Sequence, residues 1–72
     1  MSLFNWDKVT DFVWWDGMPA VLICEEGSSK AFSISDPKHD WREVNFVDVF
    51  SEAKILSKSS FHSRLEAFKA LP

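Results

Sequence analysis

The chain is poor in cysteine, which cross-links small folds, and in glycine and proline, which interrupt helices and strands. It holds one cysteine, two glycines, three prolines and no tyrosine. The lone thiol, Cys24, has no second cysteine to pair with, and two histidines are too few to complete a structural zinc site with it. The longest uncharged apolar run, residues 18–24, is far shorter than the ~20 residues of a membrane span. The sequence therefore predicts a fold held by packing, with no metal, no cofactor and no membrane.

The chain length and the single cysteine also predict the domain count and the cellular compartment. With 72 residues the chain has room for one small core, so we expect a single compact domain over residues 1–72. No basic region followed by an apolar run opens the chain, so no secretory signal is expected. A solitary thiol suits a reducing compartment, which favours a cytoplasmic protein.

Bases are scarce in most of the chain. Through Glu52 there are ten acids against four bases, whereas the remainder has four bases against one acid. An acidic body disfavours direct binding to duplex nucleic acid, which needs cations along the phosphates. It suits a protein partner with a basic surface. The alternative is that these charges only keep an aromatic-rich protein soluble.

Aromatic residues, by contrast, are abundant, with four tryptophans and seven phenylalanines, five of them between Phe4 and Trp15. Residues 2–11 resemble a short helix or an irregular lead-in, with Ser2 as a possible cap. Apolar runs predict strands at residues 12–15, 20–26 and 30–35. Asp16-Gly17 between the first two runs is a strong hairpin signal.

The second half is less regular. We predict a strand over residues 42–47 and a short helix over 51–57, although a helical stripe also fits residues 46–56. The last segment is an amphipathic helix, with Ser60 or a Ser63-x-x-Glu66 capping box at its start. Its apolar stripe is Phe61, Leu65, Phe68 and Leu71. The predicted fold is α+β: a small three- to four-stranded antiparallel sheet packed against this C-terminal helix, with a short helix before it.

Neighbouring tryptophans are the best candidates for a binding site. Adjacent strand residues point to opposite faces, so Trp14 and Trp15 cannot both enter one core. A ring left outside is a frequent interface anchor, whereas helices on both faces would make both rings core. Trp41 either adds a second anchor or closes one end of the core. The predicted partner-binding residues are Trp14, Trp15, Asp11, Asp16, Trp41 and Asp40.

No arrangement of residues predicts catalysis. Cys24 lies in an apolar run, so we expect a buried, inert thiol. His39-Asp40 and His62 lack an evident nucleophile, and Asp36 with His39 and Asp40 matches no closed metal site. The serines of residues 57–63 are typical of helix capping and do not form a phosphate-binding loop. We therefore expect a protein that is not an enzyme and has no catalytic residue.

The function that these observations favour is binding. The sequence predicts a small acidic protein–protein interaction module, such as a stoichiometric inhibitor, an immunity-type protein or an adaptor, acting by surface occlusion. Bacterial and phage accessory proteins are often built at this size. The alternatives are a homodimeric module and, with less support, a weak nucleic-acid-binding protein that uses the basic last third.

Overall fold

A tight hairpin organises the first half of the chain in the structure, a computed structural model that describes residues 3–71. Strand β1 (Asp11–Trp15) turns at Asp16-Gly17 into β2 (Met18–Ile23). Both turn residues have positive φ, 51° at Asp16 and 77° at Gly17. A two-residue turn with this twist matches paired strands, and Asp-Gly is among the sequences that adopt it readily. The predicted hairpin is therefore present. Ser2, the expected cap of the lead-in, lies outside the described residues.

The sheet has five strands, so the prediction of three to four was too low, although the α+β class is confirmed. β3 (Lys30–Ser33), β4 (Arg42–Val44) and β5 (Lys54–Leu56) complete it in the order β4-β3-β2-β1-β5. All neighbouring strands are antiparallel. The pairings make the two edge strands, β4 and β5, run in the same direction.

The short helix lies earlier than predicted. Helix α1 spans Phe46–Glu52, so residues 45–47 are not strand and the chain is extended again from Ala53. Asn45 starts the helix because its side-chain oxygen accepts a hydrogen bond from the Asp48 N–H at 3.1 Å. Residues 54–56, which we expected in a helix, form β5 and pair with β1. The helix thus connects the two edge strands across one face of the sheet.

Helix α2 (Lys58–Lys69) covers the opposite face. It is capped by Ser57, whose hydroxyl accepts from the Ser60 N–H at 3.2 Å, so the predicted caps at Ser60 and Ser63 were wrong. Phe61 and Leu65 of the expected stripe are buried. The stripe ends sooner than predicted, because Phe68 is half-buried and Leu71 lies beyond the helix, 56% exposed.

The core is therefore split by the sheet into two clusters. The α2-side cluster consists of Phe4, Val21, Ile23, Phe32, Phe61 and Leu65. The α1-side cluster consists of Val13, Ala20, Leu22, Ala31 and Val49. Alternation along β2 sends Val21 to one side and Leu22 to the other, as a strand buried on both faces requires.

The expectation of a buried Cys24 was wrong. Cys24 is exposed, because β2 ends at Ile23 and the chain leaves the sheet there. Its N–H donates to the Thr10 hydroxyl at 3.0 Å, and its Sγ lies 3.8 Å from Oδ2 of Asp11. Of the two alternatives for the lead-in, the irregular one agrees with the structure: between residues 3 and 10 the regular element is one 3₁₀ turn, Trp6–Lys8, which Asn5 caps by accepting a hydrogen bond from the Asp7 N–H.

Candidate protein-binding groove

The adjacent tryptophans of β1 face opposite sides of the sheet. Trp14 lies on the α2 side, with its ring centroid 6.5 Å from that of Phe61 and 6.1 Å from that of Phe68. Trp15 packs against the α1-side cluster. Both rings are half-buried, since each helix covers only part of its face. Each tryptophan thus combines a structural contact with some surface left open to solvent.

A groove lies beside Trp14 at the end of the sheet that carries the hairpin turn. It is shallow and open to solvent, with a volume of about 440 Å³ between β1, the turn and the last part of α2. Its lining residues are Trp14, Gly17, Arg64, Ala67, Phe68 and Leu71. Five of the six are uncharged, so the groove suits an apolar group.

Arg64 supplies the single charge of the lining. Its guanidinium carbon lies 5.9 Å from the centroid of the Trp14 ring, within the range of a cation–π contact. The side chain is exposed, which leaves guanidinium donors free to meet a carbonyl or carboxylate oxygen. The groove therefore offers an aromatic wall together with a directional donor.

Backbone geometry shapes the turn end of this groove. Gly17, with φ of 77°, has no heavy atom within 4 Å of the position that a Cβ would occupy, so the groove stays open there. Asp16 precedes it, is exposed, and adopts a φ of 51° that few side chains tolerate. A carboxylate is thus held one residue from the groove lining.

The remaining predicted binding residues lie elsewhere. Asp11 is at the other end of β1, where it accepts a hydrogen bond from the Thr10 hydroxyl at 3.2 Å. Trp41 packs edge-on against Phe4 and Trp6, with centroids 5.5 and 5.4 Å apart, and so closes the β4 side of the α2-side cluster. Asp40 is exposed in the loop before it. Of the predicted set, only Trp14 lines the groove, and Asp16 is next in sequence to the lining residue Gly17.

Sequence reasoning missed the α2 half of the groove. Arg64, Ala67 and Leu71 were not assigned to any site, because the helix was expected to bury its whole stripe. No local pattern marks these residues, because the position at which α2 docks on the sheet decides which of its side chains reach Trp14.

The histidines do not assemble a reaction centre. His62 lies against Trp6, Phe12 and Phe61, with ring centroids 5.6–6.1 Å away. His39 is exposed in the loop, where its backbone N–H donates a hydrogen bond to the backbone carbonyl of Asp36 at 2.9 Å. Within residues 3–71, no three histidine, cysteine or acidic side chains are grouped so that they would hold a metal ion. No helix in the described part of the chain has the length and apolar character to cross a membrane.

No protein-family model, curated protein or solved structure matches this chain. The function is therefore inferred from the geometry of the residues themselves.

Proposed function

We propose that the chain is a small acidic protein–protein interaction module, acting by surface occlusion as a stoichiometric inhibitor, an immunity-type protein or an adaptor. The observation that carries the proposal is the groove between Trp14 and the end of α2. An apolar side chain of a partner enters this groove, and the surrounding surface covers the partner's own functional site. The proposal assigns no catalytic residue and no cofactor.

The groove has the composition of an interface centre. Tryptophan and arginine are the residues in which binding energy is most often concentrated, and here Trp14 and Arg64 stand side by side. Leu71 and Phe68 extend the apolar wall, and both retain exposed surface in the isolated chain. Burying that surface against a partner releases water from it, which is the main favourable term in association.

Charge supports a partner with a basic surface. The chain carries a net charge of −3, and its acids are concentrated before residue 53. One of them, Asp16, is exposed and is next in sequence to Gly17 of the groove lining. Such a distribution accelerates encounter with a positively charged protein and contributes less to the final affinity. We propose a cytoplasmic setting, since the solitary exposed Cys24 is compatible with reducing conditions.

Matched variants of the last residues test the site without disturbing the core. Leu71→Asp charges the groove, whereas Ala70→Asp puts the same group next to it but outside the lining. Both positions are exposed, and both variants add an acid at the end of α2, so both should lower the melting temperature by a similar small amount. Immobilised wild type, Leu71→Asp and Ala70→Asp are compared for the proteins that they retain from a host extract.

The proposal expects a protein that wild type and Ala70→Asp retain in a one-to-one ratio and that Leu71→Asp loses. Purified, that protein should bind Leu71→Asp at least about tenfold more weakly, the lower hot-spot range. Equal retention by all three chains would place the interface elsewhere. Retention of nothing above an inactive bead control would refute the binding function.

A further inference from the structure

Strand β5 leaves one side of the sheet unpaired. It is an edge strand, and among residues 3–71 it pairs only with β1. The residues on either side of it, Ala53 and Ser57, also have extended backbones, so five consecutive residues present one free edge. No proline or glycine interrupts them, and Lys54 is their only charge. An edge of this kind is open to pairing with another strand.

Exposed apolar side chains accompany this edge. Ile55 pairs with Val13 and so lies on the α1 side of the sheet, 67% exposed. On α1 itself, Phe50 is 62% exposed and its ring stacks on Phe46 at 5.5 Å. Ile55 is therefore a large apolar side chain left open on β5 itself, and Phe50 is a second one on the helix that precedes β5.

Two charged residues beside the edge are unfavourable for the helices that carry them. Glu52 ends α1 and Lys58 begins α2. A helix favours bases at its end and acids at its start, so each residue is unfavourable for the helix that carries it. The extended segment separates them by six residue steps, roughly 20 Å, so they do not pair within one chain. A second chain can satisfy both.

We propose that β5 pairs antiparallel with β5 of a second copy of this chain, about a twofold axis at Ile55. This inference goes beyond the proposed function, because no β5 residue lines the groove at Trp14. The pairing places Ile55 against Ile55 of the second copy, on the α1 side. It also brings Glu52 of each copy toward Lys58 of the other, which forms two equivalent acid–base pairs.

Charge selects this register. A twofold axis perpendicular to the sheet keeps residues of the same face opposite each other. Moving this axis by one residue therefore changes the partner of every residue by two positions. An axis at Lys54 sets that lysine against its own copy, and an axis at Leu56 sets Lys54 against Lys58. Like charges directly opposite are destabilising, so only the register centred on Ile55 avoids repulsion and gains attraction.

Charge reversal tests the pairing without weakening the monomer. Glu52→Lys and Lys58→Glu each replace an acid–base pair by two like charges in the dimer, and each improves the charge at its own helix end. Sedimentation velocity from low micromolar to near-millimolar concentration should show wild type dimerising. Each single variant should raise the dimer dissociation constant about tenfold, since two pairs are lost and two repulsions appear. The double variant Glu52→Lys/Lys58→Glu should regain most of that affinity.

Glu26→Lys and Lys38→Glu make the same charge changes at exposed positions away from β5 and should dimerise like wild type. A wild-type chain that stays monomeric throughout overturns the proposal, as does a dimer that ignores the reversals at 52 and 58. Both results leave the groove at Trp14 untouched, because partner binding there is measured with Leu71→Asp.

Cross-linking gives an independent readout. In a Cys24→Ser background, Ile55→Cys should form a disulfide-linked dimer under mild oxidation, because residues facing each other across antiparallel strands have Cα atoms about 4.5–5.5 Å apart, within the range that a disulfide spans. Val47→Cys is the control, since Val47 is 69% exposed but lies on α1. Equal cross-linking of both variants, or none for Ile55→Cys, would contradict the twofold pairing.

Discussion

Replacing Phe61 by alanine should strongly destabilise the protein. The ring is fully buried and lies 5.1 Å from the ring of Phe12 and 6.4 Å from that of Trp6, centroid to centroid. Removing a buried phenylalanine costs ~3–5 kcal/mol, because apolar contacts are lost and a cavity remains. At ~0.05–0.15 kcal/mol per residue, a chain of 72 residues has a free energy of unfolding of about 4–11 kcal/mol, so the variant should lose a large part of its stability.

Phe68→Ala is the matched comparison. That ring is only half-buried, and we expect its loss to lower the free energy of unfolding by ~1–2 kcal/mol. Urea denaturation followed by far-ultraviolet circular dichroism measures both variants, and it avoids tryptophan fluorescence, which the altered rings would disturb. Similar losses for the two variants, or a loss below ~1 kcal/mol for Phe61→Ala, would refute the docking of α2 through its first two turns.

Three further predictions concern local features. Cys24 should react with a thiol reagent in the folded state at nearly the rate found in denaturant, since it is exposed; strong protection would contradict its placement. Ser57→Ala should lower the free energy of unfolding by ~1 kcal/mol through loss of the α2 cap, and Ser60→Ala by clearly less, as judged by thermal melts. Asp16→Asn should be nearly neutral, whereas Asp16→Val should cost ~1–2 kcal/mol because a β-branched residue resists φ of 51°; equal melting temperatures would argue against this turn.

Local signals sufficed for the parts of the fold that local chemistry determines. Asp16-Gly17 predicts the hairpin because few dipeptides adopt two positive φ angles. The spacing of Phe61 and Leu65 predicts the buried face of α2, because helical periodicity is also a property of the segment alone.

Segments of a few residues could not be read in this way. Lys54–Leu56 continues an apolar spacing that suits a helix, but in the structure it is strand because β1 has a free edge to pair. Cys24 continues an apolar run by composition, yet the strand stops one residue earlier. In both cases the tertiary surroundings outweigh the local pattern.

The candidate site was half predictable for a related reason. Strand alternation places Trp14 and Trp15 on opposite faces, which required only the period of two. Arg64 and Leu71 reach Trp14 because of where α2 crosses the sheet. That crossing is set by packing between distant segments, which no short stretch of sequence encodes.

The most direct test of the binding function is a calorimetric titration of the retained partner into the wild-type chain and into Leu71→Asp, with Ala70→Asp alongside. We predict a one-to-one complex for wild type and Ala70→Asp, and a dissociation constant at least about tenfold higher for Leu71→Asp. Equal dissociation constants for all three chains would show that the groove beside Trp14 is not where the partner binds.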